Sequence, residues 1–428
     1  MQNGKKFNLN LIKLALMALL LRFLIMPFSF HGNDIFYLNY FPFKFIEYKT
    51  FEPYLITDQS GIYYPPGIFY ILVFFQFLFR AFLPKLNELF SVFAAWNFTS
   101  EANTINFADI LTDHQLFRTL FLFKIPYLIS DFVIGFVLFQ LLKKDKRKIF
   151  IALLMWALNP FALHSVYALG QFDIIVAMFI MLSLLAIKLE RPYLAIACLS
   201  LGGSVKIIPL LLIPPLVFIL GKTLKEKIQL ILVALAIFIT PFLPIFFTTS
   251  KLTVMNVLNF GSKIEISAFR KNIFFVAYLF FLTIPFLLKK EDIDKMKMTI
   301  FSFVCILLLF FSLYRVNLRY FVWIAPLLIL LVVQNRVFWI YIVVFLITLF
   351  ELRAAGNAQQ WGLFATLHPE FFSSLPIADS YFNLAVNVKY IHQAMYRLFV
   401  ISSLTMVAHI LVVNRHLLKF SLPSYGKK

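Results

Sequence analysis

The sequence predicts an all-α polytopic membrane protein, and three observations carry that reading. Hydrophobic residues fill 61% of the 428 positions and charged residues only 14%, too little charge to solvate a water-soluble chain of that length. Several apolar runs reach the roughly 20 residues that a helix needs to cross a hydrocarbon core. The basic excess, a formal net charge of +19, is gathered in short clusters between those runs, as positive-inside placement requires. No nucleic-acid motif accompanies it, so membrane lipids are the expected partners of most of this charge and nucleic acid is not. Cys198 and Cys305 sit within apolar segments and form neither a disulfide framework nor a zinc pattern.

Each span follows from charge placement. Lys5 and Lys6 precede an apolar stretch without a small-residue cleavage site, which reads as an uncleaved signal anchor running outward over 8–30. Lys143-Lys144-Asp145-Lys146-Arg147-Lys148 is the strongest basic cluster and belongs in the cytoplasm. Residues 118–142 then run inward, and 31–117 form one large outer loop. Residues 66–84 are apolar enough to cross, but 85–116 carries Glu88, Glu101, Asp109 and Asp113 and offers no return span. That segment is expected to be re-entrant or interfacial, packed against the bundle.

Residues 149–163 lead out again and 173–188 return. The stretch 193–220, interrupted by Gly202-Gly203 and Pro209, reads as two short helices meeting near Lys206. Spans at 228–247, 272–288, 298–314, 318–333, 337–352 and 395–413 bring the total to about 12 helices. The whole chain, 1–428, is one integral membrane domain, with further outer loops at 248–271 and 353–394 and both termini cytoplasmic. On this layout the cytoplasmic segments hold over half of the 39 basic residues and under a third of the 20 acids.

With no sizeable soluble domain, active residues must come from outer loops and helix ends, where ionisable groups are costly and mark function by default. Asp34, just after the first span, is either a general base at the membrane surface or a solvated cap. Tyr64, in Tyr63-Tyr64-Pro65-Pro66-Gly67, either hydrogen-bonds a sugar or sits in the aromatic belt. Asn159-Pro160, His164 and Gly170-Gln171-Phe172-Asp173 put an amide and a carboxylate where two helices meet, with helix capping the alternative for Asp173. Lys206 at a broken apex suits an anionic headgroup. Arg315 and Arg319 break the positive-inside trend on the outer face, and their guanidinium forks suit phosphate. Lys263, Arg270 and Lys271 repeat that theme less specifically, and Trp361, His368 and Glu370 are weaker acceptor-loop candidates.

The order of these motifs resembles the GT-C superfamily of glycosyltransferases. It runs from Asp34 through Tyr64-Pro65-Pro66, Lys124-Ile125-Pro126-Tyr127-Leu128-Ile129-Ser130-Asp131, Asn159-Pro160-Phe161, Gly170-Gln171-Phe172-Asp173 and Val205-Lys206-Ile207-Ile208-Pro209 to Leu318-Arg319-Tyr320-Phe321-Val322-Trp323. The nearest likeness is to mannosyltransferases of GPI assembly and their bacterial and archaeal relatives. The resemblance implies inverting transfer of a hexose, mannose-like, from a polyprenyl- or dolichyl-phosphate donor to a glycan, lipid or protein on the extracytoplasmic face. The membrane would be the plasma membrane of a prokaryote or the endoplasmic reticulum.

Within that likeness Asp34 matches the family's first-loop base, and Lys206 falls where relatives carry a lysine near the donor. Arg315 and Arg319 are placed as phosphate binders by their chemistry more than by the likeness; with Tyr64 they complete the expected donor site, and Asp173, Gln171 and His164 the sugar site. Some relatives pair two acids in the first loop, whereas Asn33-Asp34 supplies one, which favours protein cations over a metal. A transporter or flippase of lipid-linked sugars, or a non-catalytic subunit of the same fold, remains the alternative, although no inverted repeat is visible.

Overall fold

The computed structural model describes residues 2–49, 64–95, 115–246, 267–287, 294–314, 318–335, 360–376, 380 and 388–413. Every regular element among them is helical. The first are α1 (Gln2–Ile25), α2 (Gly32–Tyr48), α3 (Gly67–Phe79), α4 (Leu86–Ala95), α5 (Gln115–Phe123), α6 (Ile125–Leu142) and α7 (Lys146–Ala157). A π-helical segment, Ala162–Ala168, leads to α8 (Asp173–Lys188) and α9 (Pro192–Val205), and a 3-10 turn at Ile208–Leu212 leads to α10 (Ile213–Leu220). The remaining long helices are α11 (Leu224–Ile239), α12 (Ala268–Leu287), α13 (Lys295–Leu313), α14 (Phe321–Asn335) and α15 (Val388–Val413), with short helical segments at Leu243–Phe246 and Pro369–Ser374.

Five stretches are long and apolar enough to cross a membrane: Phe7–Ile25, Gln115–Leu142, Leu224–Phe246, Lys295–Leu313 and Gln393–Val412. The helix α7 and the π segment, bent by 46°, make a sixth if they are one broken span. Gly67–Phe82, Pro192–Val205, Ile208–Leu220 and Phe321–Gln334 are shorter apolar helices. The described residues thus offer five or six crossings by length rather than about 12, because many apolar runs are cut short. The expected span at 337–352 lies outside them.

The interruptions have local causes. The expected span 149–163 stops at Ala157, because Pro160 has no N–H to donate. Asn159 restarts the chain: its Oδ1 accepts the backbone N–H of Phe161 at 2.9 Å and of Ala162 at 3.3 Å. Within 193–220 the two short helices meet at Lys206 as expected, where the chain is extended (φ −156°, ψ 135°), while Gly202-Gly203 stay helical in α9. Gly203 instead admits close packing, since a Cβ there would lie 2.4 Å from Leu210 Cδ2. Thr223 and Glu226 close a reciprocal capping box at the start of α11.

The core gathers on α13, whose residues from Met298 to Leu309 are all buried, so it packs on every side. The α8 helix lies against α6 and α9 and completes that centre. By contrast α1 exposes Leu9, Ile12, Leu16, Leu20 and Leu24, an apolar stripe suited to lipid. The α8 helix starts at Asp173, where the chemistry described below is found.

Candidate active site

Asp34 stands in the first turn of α2, after a tight exit from α1 through Pro27. Its Oδ2 lies 2.8 Å from His31 Nδ1, and its Oδ1 accepts from Arg319 Nη1 at 3.3 Å. Burial alone would raise the Asp34 pKa, but His31, Arg319 and the nearby Gln171 amide outweigh it and hold the carboxyl below its ordinary value. Arg319 comes from the 3-10 turn Leu318–Tyr320, 285 residues away in sequence.

The turn carrying Gln171 is held directly against this helix start. The backbone N–H of His31 donates to the Leu169 carbonyl at 3.1 Å. Gly170 has φ +88°, and a Cβ on it would lie 2.9 Å from Ile35 Cβ. Conformation and space therefore both require glycine here.

The second acid of the site is Asp173, at the start of α8. It does not cap that helix; Phe172 holds the N-cap position without a side-chain bond. Instead Asp173 Oδ1 accepts from Lys206 Nζ at 2.7 Å and from the Trp323 indole N–H at 2.8 Å. The Lys206 ammonium lies 4.4 Å from the Tyr320 ring centre, 4.9 Å from Trp323, 5.3 Å from Phe172 and 5.5 Å from Tyr64. Such cation–π contacts contribute roughly 1 kcal/mol each when partly desolvated. Tyr320 and Trp323 are stacked at 4.6 Å, and Tyr64 meets Phe172 edge-on at 4.9 Å. Burial, with Asp34 and Asp173 adding to it, pushes the Tyr64 phenol well up, so it stays a neutral donor.

The two acid–cation pairs share one wall, because Arg319 precedes Tyr320, and Gln171 and Phe172 precede Asp173. Polar capacity is left over there. Asp173 Oδ2 and both amide atoms of Gln171 have no hydrogen-bond partner among the described residues, although both residues are fully buried. Gln171 sits close enough to favour the Asp34 anion without meeting hydrogen-bond geometry. Each such orphan atom costs about 1–3 kcal/mol unless a ligand or water completes it.

A different cluster lies beside α1. Arg22 Nε donates to Asp131 Oδ2 at 2.7 Å, the Tyr167 hydroxyl donates to the same oxygen at 2.6 Å, and the Trp156 indole donates to Oδ1 at 2.6 Å. The buried Lys124 ammonium donates to the carbonyls of Met26 (2.9 Å), Tyr167 (2.6 Å) and Ser29. Lys124 thereby ties the turn leading to Asp34 to the π segment leading to Gln171.

The structure brings together Asp34, Arg319, Gln171, Asp173, Lys206 and Tyr64 of the sequence-predicted set. His164 is half-buried in the π segment, and its carbonyl accepts from Leu169 N–H. Arg315 and Lys263 lie outside the described residues. Arg270 and Lys271 are exposed at the start of α12. Trp361 and Glu370 are exposed, and His368 accepts the Phe371 N–H to cap Pro369–Ser374. This segment approaches the site through the backbone: the Leu363 carbonyl accepts from Phe30 N–H at 3.0 Å, four residues before Asp34. Sequence reasoning missed His31 as the partner of Asp34 and the pairing of Arg22 with Asp131. For Arg22 a signal existed, a lone cation late in an otherwise apolar span. Among the described residues no group of three or more His, Cys, Asp or Glu is placed to hold a metal.

Comparison with known proteins returns one match. Residues 63–320, well over half of the chain, match the family model of glycosyltransferase family 87. No curated protein and no solved structure matches the chain.

Proposed function

Because the chain belongs to glycosyltransferase family 87, a family of GT-C type, we propose that it is an inverting hexosyltransferase using a polyprenyl-phosphate sugar, mannose-like, as donor. The acceptor is a glycan, lipid or protein hydroxyl, and transfer takes place on the extracytoplasmic face, at the end of the bundle that carries Asp34. The single observation that carries this reading is the pairing of Asp34 with Arg319 next to the Lys206–Asp173 pair. One carboxylate and two cations in one place are what the reaction needs.

Asp34 accepts the proton of the acceptor hydroxyl while that oxygen bonds to the anomeric carbon. The bond from the anomeric carbon to the phosphate oxygen breaks, and polyprenyl phosphate leaves with the bonding pair. Arg319 and Lys206 hold its growing charge, with Arg315 as a further cation and Tyr64 as a neutral donor. A phosphate that draws Arg319 away also frees Asp34 from its counter-ion and makes it more basic. The unfilled atoms of Gln171 and Asp173, with His164, meet sugar hydroxyls, and the stacked Tyr320 and Trp323 rings offer an apolar face.

The test is transfer of labelled hexose from polyprenyl-phosphate hexose in membranes containing the protein. Equal transfer by wild type and Asp34→Asn removes Asp34 as the base. Counterflow of the labelled lipid without a new glycosidic bond replaces the enzyme with a transporter.

A further inference from the structure

The helix α8 runs from Asp173 to Lys188, about 22 Å at 1.5 Å per residue, so its far end is well removed from the site above. A cavity of about 650 Å³ opens there, between the ends of α8 and α10 and the starts of α9, α11 and α13. Lys188, Arg191, Lys222 and Lys295 line it, with Glu190, Glu226 and Asp294 as the acids.

Two of those acids are already used. Glu226 Oε2 accepts the backbone N–H of Lys222 at 2.7 Å and of Thr223 at 3.4 Å. Asp294 Oδ1 accepts the Lys297 N–H at 3.1 Å, and its Oδ2 lies 3.6 Å from the Lys297 ammonium. Lys188 spends part of its charge on the carbonyls of Gln140 and Leu141. Arg191 and Lys295 make no ion pair among the described residues. The positive ends of three helices add to these side-chain charges, and the C-terminal ends of two oppose them. Four basic side chains against three acids leave the lining with a positive formal balance, and its size suits a headgroup-sized ligand.

We propose that this cavity is a second, non-catalytic binding site for a phosphate group, with Arg191 and Lys295 as its principal contacts. A planar guanidinium can take two phosphate oxygens at once, and a lysine adds a point charge beside it. The phosphate belongs to an anionic lipid headgroup or to a soluble phosphate compound, and these sources separate experimentally.

The full chain, purified in detergent, is unfolded thermally with added phosphatidylglycerol, phosphatidylcholine or inorganic phosphate. A ligand that binds only the folded form raises the midpoint. A rise of several degrees with phosphatidylglycerol and not with phosphatidylcholine, lost in Arg191→Gln/Lys295→Gln, assigns a lipid headgroup. A rise with inorganic phosphate that the same variant loses assigns a soluble ligand. The control Arg270→Gln/Lys271→Gln removes equal charge from exposed positions at the start of α12, outside the cavity lining, and keeps the shift. No rise with either anion, or a rise equal in wild type and Arg191→Gln/Lys295→Gln, overturns the site. If the double variant does not fold, Arg191→Gln and Lys295→Gln are read singly, each losing part of the shift.

Discussion

Asp131 and Asp173 are both buried carboxylates, each beside a tryptophan indole, a cation and tyrosine rings, yet their oxygens are used differently. Asp131 spends both: Oδ2 on Arg22 and Tyr167, Oδ1 on Trp156. Asp173 loads Oδ1 with Lys206 and Trp323 and leaves Oδ2 without a partner among the described residues. The neighbours follow suit. The three N–H bonds of Lys124 all end on carbonyls, while the Gln171 amide makes none. A closed network stabilises the fold and has no capacity left for a ligand, whereas an open one keeps a cost that binding can relieve. By this contrast the Asp131 cluster has the character of scaffold, and the Asp173 cluster that of the proposed site.

The largest effect expected from this contrast lies in the open cluster. Asp34→Asn lowers hexose transfer by about 10²–10⁴-fold, measured with labelled polyprenyl-phosphate hexose, while the protein still elutes as a single folded species. In the closed cluster the loss falls on stability: Arg22→Met leaves Asp131 without its cation and costs about 3–5 kcal/mol. Thermal unfolding in detergent checks this, and the double variant Arg22→Met/Asp131→Leu recovers much of the loss. If Arg22→Met were harmless to stability and fatal to transfer, the division between the clusters would fail.

Gln171→Ala is a smaller change, costing roughly 1–2 kcal/mol of donor or acceptor interaction, about tenfold in kcat/KM. Its unfolding midpoint stays level or rises, because a buried amide without a partner disappears. The smallest effect is on pH. Asp34 is held below its ordinary value, so it contributes stability above the unfolded-chain pKa of about 4. That stability is lost as pH falls through the lower folded value. Arg319→Gln removes one of the cations responsible and moves the acid limb of a pH–rate profile upward. An unmoved limb would mean that Asp34 is not the titrating base.

The helical class, the positions of most apolar segments and the residues of the open cluster were legible in the sequence. Membrane cost singles out Asp34, Lys206, Asp173 and Arg319 one at a time, and the structure joins them. What was not legible is pairing at long range. Arg22 and Asp131 are 109 positions apart, and no local spacing encodes that contact. The described residues offer five or six long apolar crossings against the expected count of about 12. Hydropathy registers apolar runs but not the bend after Ala157, whereas the break near Lys206 is expected from the sequence and is found there. Gly202-Gly203 reads in the sequence as one of the interruptions because glycine weakens helices. Here it serves interhelical contact instead, and the chain turns three residues later, ahead of Pro209.

Lys124 also sets an order of assembly. The carbonyls of Met26 and Ser29 accept an ammonium that lies 98 and 95 positions further along the chain. Until that lysine has been synthesised and inserted, the exit from α1 can satisfy those groups only with water, at the membrane edge. The turn ahead of Asp34 thus seats itself after α6 arrives, and the Arg319 side chain follows nearly two hundred residues later. A nascent chain therefore carries Asp34 well before it carries Arg319, the cation that restrains it.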